Sequence, residues 1–477
     1  MRPYIETLSP SEIHQVHMAS MELLEKTGME VLDEKAIDIF EAAGAIVDRD
    51  SKVVKIPVRL VNDALSKCAP SVTLYNSDGT KAIKVGGDEV NYGTVGFANY
   101  VLDWKTGVVR DALISDYEDI LKLCDVLDYP QFVLPPAQPV DCPIEISDLY
   151  QAKVGFLTTK KPLIPQAYDG RSAKAIIEMA AEVVGGMDKL VEKPNMAMLV
   201  TCTSPLVIRL DASETVIETA KAGVPLFIES GPMTGATSPV TLCSAVALTN
   251  AENLAHIVLA KLVNPEVPVI YASWCRLFDM RYGNVSLGCP ELALMRVANA
   301  QMGKYYKLPC GGGGCLTDAN SADVQLGWEK MVTASIPGLG HANMILGMGI
   351  IGQENTLSCE CLLIDSEIVR ISKRLIDGIA VDEERLALDI IKEVGHGGTS
   401  FVSKKHTKKF YPTEQMLPRL TDRSVPAEWV KNGAKNCNTV AREMVASYID
   451  KWQAPAIPEG SAEKLQAIID SNADKVM

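Results

Sequence analysis

The sequence predicts an α/β chain built on a (β/α)8 TIM barrel, preceded by an N-terminal helix and β-hairpin region and followed by a C-terminal helical extension. Two observations and one rule of chain connection predict it. After residue 130, short apolar runs recur, each followed by a Gly-, Pro- or Ser-rich turn and then a helical stretch. Strand alternating with helix implies parallel pairing, because a parallel connection needs a crossover. No glycine fingerprint follows Val133, where an open nucleotide-binding sheet would place one after its first strand.

Taken in order, residues 9–43 carry apolar side chains at helical spacing through Ile13, Val16, Met21, Leu24 and Val31. A β-rich stretch follows at 53–57, 72–75, 82–85, 90–92 and 100–103. Turn signals at Ser77-Asp78-Gly79 and Gly86-Gly87-Asp88 divide it into hairpins. The eight expected parallel strands are 132–134, 162–165, 197–201, 225–228, 267–271, 306–309, 343–346 and 362–364. Helical patterns at 242–263, 291–303 and 324–335 lie between them, and others at 366–378, 382–394 and 426–450 close the chain. The expected regions are 1–115 (helix and hairpins), 116–380 (barrel) and 381–477 (helical extension).

Composition narrows the function classes. Apolar residues make up 47% and charged residues 22%, values of an ordinary globular chain that argue against disorder. A formal net charge of −14 disfavours a phosphate backbone or an anionic membrane as partner. The opening residues from Met1 to Glu6 read as neither signal peptide nor anchor, so a cytoplasmic location is expected. None of the twelve cysteines stands in CxxC spacing, and reduced thiols are expected. With six histidines in the chain and no His-x-His, no metal site is expected.

Barrel chemistry gathers at the C-terminal ends of the strands. Those ends carry Glu229, Trp274, Arg276 and the glycine run Gly311 to Gly314, flanked by Cys310 and Cys315. The glycine run could admit a phosphate or a large flat ligand, and composition does not separate the two.

Several segments resemble the trimethylamine methyltransferase superfamily: GPMTGATSPVT from Gly231, DMR from Asp279, Pro290-Glu291 and DANSADVQLGWEK from Asp318. HAN from His341, LIDSEI from Leu363, and LTDR from Leu420 with Trp429 continue the match. The resemblance implies a (β/α)8 barrel. It places Asn320 where trimethylamine-demethylating members carry pyrrolysine, which implies the branch that uses quaternary amines such as glycine betaine, proline betaine or carnitine. The implied reaction moves a methyl group to Co(I) of a separate corrinoid protein. This chain lacks the Asp-x-His-x-x-Gly corrinoid signature, so no permanently bound cofactor is expected. The family's histidine-rich segment resembles His396 to Thr407, where Thr399 and Lys405 replace expected histidines.

A quaternary ammonium has no N–H to donate, so aromatic faces are its expected holders. Tyr92, Phe97, Trp274 and Trp328 are candidates. Arg276, His341 or the amide of Gly312 could meet a substrate carboxylate. The expected substrate-binding set is therefore Tyr92, Phe97, Glu229, Trp274, Arg276, Gly312, Asn320 and His341. Long apolar helices suggest a homo-oligomer. A thiol-dependent barrel lyase using Cys310 or Cys315 and a non-catalytic betaine binder are the competing readings.

Overall fold

A computed structural model describes residues 3–398 and 400–473. Met1, Arg2 and Thr399, all drawn on above, lie outside them.

The fold is mixed α/β around a six-stranded sheet. Its strands are β1 (Asn91–Thr94), β2 (Met198–Cys202), β3 (Leu226–Ser230), β4 (Val269–Ser273), β5 (Cys310–Gly313) and β6 (Met344–Met348). Their order is β1-β6-β5-β4-β3-β2, and every pairing is parallel. Isolated parallel bridges extend the ladder from both edges. Gly93 pairs with Phe132, Val133 with Leu163, Leu163 with Met196, and Gln166 with Leu199 of β2. All residues of β3, β4 and β6 are buried, as expected of strands covered on both faces.

Five helices matter for the site or its support: α1 (Pro10–Glu22), α2 (Leu242–Val263), α3 (Pro290–Tyr305), α4 (Val324–Leu339) and α5 (Cys359–Asp377). Every residue of α2 from Ala245 to Lys261 is buried, the polar Asn250, Glu252, Asn253 and His256 included. It is long and apolar enough to cross a membrane, yet 83% of its most apolar window is covered by the rest of the chain.

The expected hairpin at 72–85 forms, with Ser71–Tyr75 antiparallel to Ala82–Gly86. Other expectations need correction. The run at 90–92 is no hairpin arm but opens β1, paired with β6 through Asn91 and Asn343. The run 306–309 leads into the strand, and the glycines beyond it form β5. There the missing side chains let neighbours close in: a Cβ on Gly311 would stand 3.0 Å from the Met344 Cβ and 3.2 Å from the Phe227 ring. The run 362–364 lies within α5, where Ser358 caps the helix by accepting from the Cys361 amide. A short apolar run has the same texture in a buried strand and a buried helix. Near the C-terminus, Ala387 (φ +50°) splits the expected helix at 382–394 in two. Gly433 (φ +96°) lies in a similar break within 426–450.

Candidate active site

Beyond the C-terminal ends of the strands lies a cavity of about 340 Å³. Its walls combine aliphatic side chains, Leu134, Leu199 and Leu346, with Phe97, Trp274, Glu229, Arg276, Gln166, Thr201 and Glu354. Small-molecule sites commonly have this make-up, an apolar wall with a few convergent polar groups.

Glu229 projects from β3 and Trp274 directly follows β4. The Trp274 amide donates to the Ser230 carbonyl at 2.7 Å, which fixes the turn that presents the indole. Its ring fills space left by Gly313, where a Cβ would be 2.4 Å from Cζ3. Arg296 of α3 backs the ring, its guanidinium 5.7 Å from the ring centroid. Arg296 Nε donates to the Gly313 carbonyl at 2.6 Å and Nη1 to Ser273 Oγ at 3.1 Å.

Arg276 begins a hairpin of Arg276–Asp279 and Asn284–Ser286 that rises from the same rim. Among the described residues, Glu229 Oε2, Arg276 Nε and Arg296 Nη2 are buried with no hydrogen-bond partner. Buried polar atoms are normally paired, so the two of these on the cavity wall, Glu229 Oε2 and Arg276 Nε, mark a place where a ligand would supply contacts.

The electrostatics follow from burial. Desolvation pushes the Glu229 carboxyl up to about 7, against the opposing pull of Arg296 and Arg276. Glu354 is pushed up to about 8, chiefly by burial and further by Glu229, while Arg276 and the Trp274 indole N–H oppose the shift. Burial also pulls Arg296 down to about 10.

The structure brings Phe97, Glu229, Trp274 and Arg276 together around this cavity. It places the other expected residues elsewhere. Tyr92 is fully buried under α4, where its hydroxyl donates to the Ala334 carbonyl at 3.1 Å, so the ring packs away from the cavity. Gly312 lies against β4, and a Cβ there would stand 2.3 Å from the Ser273 carbonyl oxygen. Asn320 and Trp328 line a separate cleft beside the hairpin. His341 precedes β6, at the opposite end of the strands from the cavity. Its Nδ1 lies 3.2 Å from Asp88 and its ring 5.0 Å from Tyr4.

Glu354 and Gln166 line the cavity but were not singled out from the sequence. Glu354 sits in the turn Gly352-Gln353-Glu354-Asn355, just beyond the Gly347-Met348-Gly349 strand end. A charged residue in a Gly/Asn turn after the last strand was the available signal. Cys310 and Cys315 are buried thiols, both pushed up by desolvation, and neither lines the cavity. Among the described residues no group of three or more His, Cys, Asp or Glu side chains is placed to hold a metal ion.

Residues 1–476 match the family model described as trimethylamine methyltransferase (MTTB). The trimethylamine methyltransferase MttB of Desulfitobacterium hafniense is 34% identical over 98% of this chain and 94% of its own length. A protein from Methanosarcina barkeri with the same name is 32% identical over 99% of this chain and 96% of its length. A glycine betaine methyltransferase of Desulfitobacterium hafniense is 30% identical over 99% of this chain and 98% of its length. The crystal structure of the Methanosarcina barkeri monomethylamine methyltransferase (MtmB) shares the fold, with a TM-score of 0.50 and 12% identity. That likeness covers 92% of this chain and 94% of the other.

Proposed function

This chain belongs to the trimethylamine methyltransferase family, and from that we propose that it moves a methyl group from a small quaternary amine to Co(I) of a separate corrinoid protein. The tertiary amine is the second product. We read the parallel sheet and its bridged segments as one (β/α)8 barrel whose mouth is the cavity.

The observation that carries this reading is the pairing of Trp274 and Phe97 with two carboxylates, Glu229 and Glu354, in one small cavity. A quaternary ammonium offers no hydrogen-bond donor, so ring faces and negative charge are what can hold it. Each ring contact contributes roughly 0.5–2 kcal/mol in a desolvated site. Arg276, with its unpartnered Nε, would take a substrate carboxylate as a charge-assisted pair.

The chemistry asks little more of the protein. A quaternary nitrogen is already activated, since attack at its methyl carbon expels a neutral amine. The residues therefore act by positioning the donor and excluding water, which together supply much of the rate. The glycine betaine methyltransferase relative supports the quaternary class. Burial of Cys310 and Cys315 away from the cavity weighs against a thiol-dependent lyase.

The test is incubation of the purified chain with Co(I) cobalamin and a panel of glycine betaine, proline betaine, carnitine and γ-butyrobetaine. Stoichiometric formation of methylcobalamin and the matching tertiary amine from at least one of them is expected. Tight binding without transfer would favour a betaine-binding protein instead.

A further inference from the structure

We propose that Glu354 is a second cation-binding carboxylate beside Glu229, and that the pair releases a shared proton when a permanent cation enters the cavity. This rests on the quaternary-amine reading above.

The geometry singles out Glu354. Gly352, Gln353 and Glu354 follow one another with φ of +61°, +57° and +70°. Left-handed backbone at consecutive non-glycine residues is unfavourable and persists where neighbours enforce it. Here neighbours from three directions do so. The Gly352 amide donates to the Ala319 carbonyl at 2.7 Å, and Asn284 Nδ2 of the hairpin donates to Gln353 Oε1 at 2.6 Å. Asn99 Nδ2 donates to Asn355 Oδ1 at 3.1 Å. The product of this bracing is a carboxylate directed into the same cavity as Glu229.

Two carboxylates in a poorly solvated space resist double ionisation unless positive charge meets them. The charged and titratable groups facing them are Arg276 from the hairpin, Arg296 from α3 and Cys202 from β2. Arg296 is already bonded to Gly313 and Ser273. Desolvation outweighs both arginines, and the two carboxyls sit at about 7 and about 8. Without ligand at neutral pH, the pair therefore retains on the order of one proton. A quaternary ammonium carries no acidic proton of its own. Its fixed charge favours both carboxylates ionised, and the displaced proton passes to the solvent buffer with no other bond changed.

Calorimetric titration of the full chain with tetramethylammonium and with glycine betaine tests this, run from about pH 6 to about pH 9 in phosphate and in Tris. The expected heat differs between the two buffers by the ionisation heat of up to about one proton near neutral pH. Affinity should rise by more than about tenfold between pH 6 and pH 7, continue to rise through pH 8 and level off near about pH 9. Glu354→Gln should weaken binding, remove most of the buffer dependence and flatten the pH profile. Binding by the wild type with buffer-independent heat overturns this proposal and leaves the quaternary-amine reading standing. Failure of both probes to bind, with no methyl transfer from any quaternary amine, overturns both.

Discussion

The indole of Trp274 occupies the volume that any side chain at Gly313 would need, with Cζ3 and Cη2 standing 2.4 and 2.7 Å from an added Cβ. The strand formed by the glycine run thus seats the ring that faces the cavity. Gly313→Ala should displace the indole and lower kcat/KM at least tenfold. Stability should fall by about 1–3 kcal/mol, the usual effect of overpacking. Steady-state kinetics and thermal melting check it, and unchanged kinetics would remove Trp274 from the site.

Trp274→Phe keeps a ring face, whereas Trp274→Ala does not. Affinity for the best quaternary amine should drop about tenfold more in Ala than in Phe, equivalent to about 1.4 kcal/mol. Direct binding titrations of both variants decide it.

Arg276→Ala should separate substrates by their second charge. A betaine that carries a carboxylate should lose affinity by about 2 kcal/mol, in the range for a hydrogen bond to a charged group. Tetramethylammonium, with nothing to offer the guanidinium, should bind the variant at least as well as the wild type. Equal losses for the two ligands would assign Arg276 a structural role.

The raised carboxyls Glu229 and Glu354 also make stability depend on pH. Their folded-state values of about 7 and about 8 exceed the ordinary glutamate value, so the folded chain binds more protons than the unfolded one over the interval between. Their contribution is fully present below about pH 4.5 and is lost as pH rises toward 8. The ligand-free double variant Glu229→Gln/Glu354→Gln should melt with a smaller decline between pH 6 and pH 8 than the wild type. Parallel melting curves across that interval would contradict the shifts.

Tyr92→Phe should remove one buried hydrogen bond, to Ala334, at a cost of about 1 kcal/mol, with substrate affinity unchanged. Thermal melting alongside a binding titration reads both.

Much of the sheet was legible in the sequence because buried parallel strands are apolar runs separated by helices. The runs at 197–201, 225–228, 267–271 and 343–346 coincide with β2, β3, β4 and β6 to within two residues. The first and fifth strands were not legible as such. Asn91-Tyr92-Gly93-Thr94 is too polar to read as a core strand, and its burial depends on Asn343 and Gln131 accepting and donating across it. Cys310–Gly313 reads as a loop because glycine carries no strand signal; neighbouring rings supply the packing.

Glu229, Trp274 and Arg276 were legible because they follow strong strands, where barrel chemistry is expected. Tyr92 misleads because an aromatic in a strand can face either side, and a one-residue difference in register exchanges cavity for helix contact. Glu354 was missed because a tertiary brace around a strained turn, and no local motif, directs it inward.

The methyl donor proposed for this chain is a quaternary amine. Its most direct measurement compares glycine betaine with trimethylamine as donors at equal concentration, following the absorbance change from Co(I) cobalamin to methylcobalamin. Turnover is expected with glycine betaine or another quaternary amine from the panel, and none above the enzyme-free background with trimethylamine. Robust turnover of trimethylamine, with the quaternary amines inert, would contradict it.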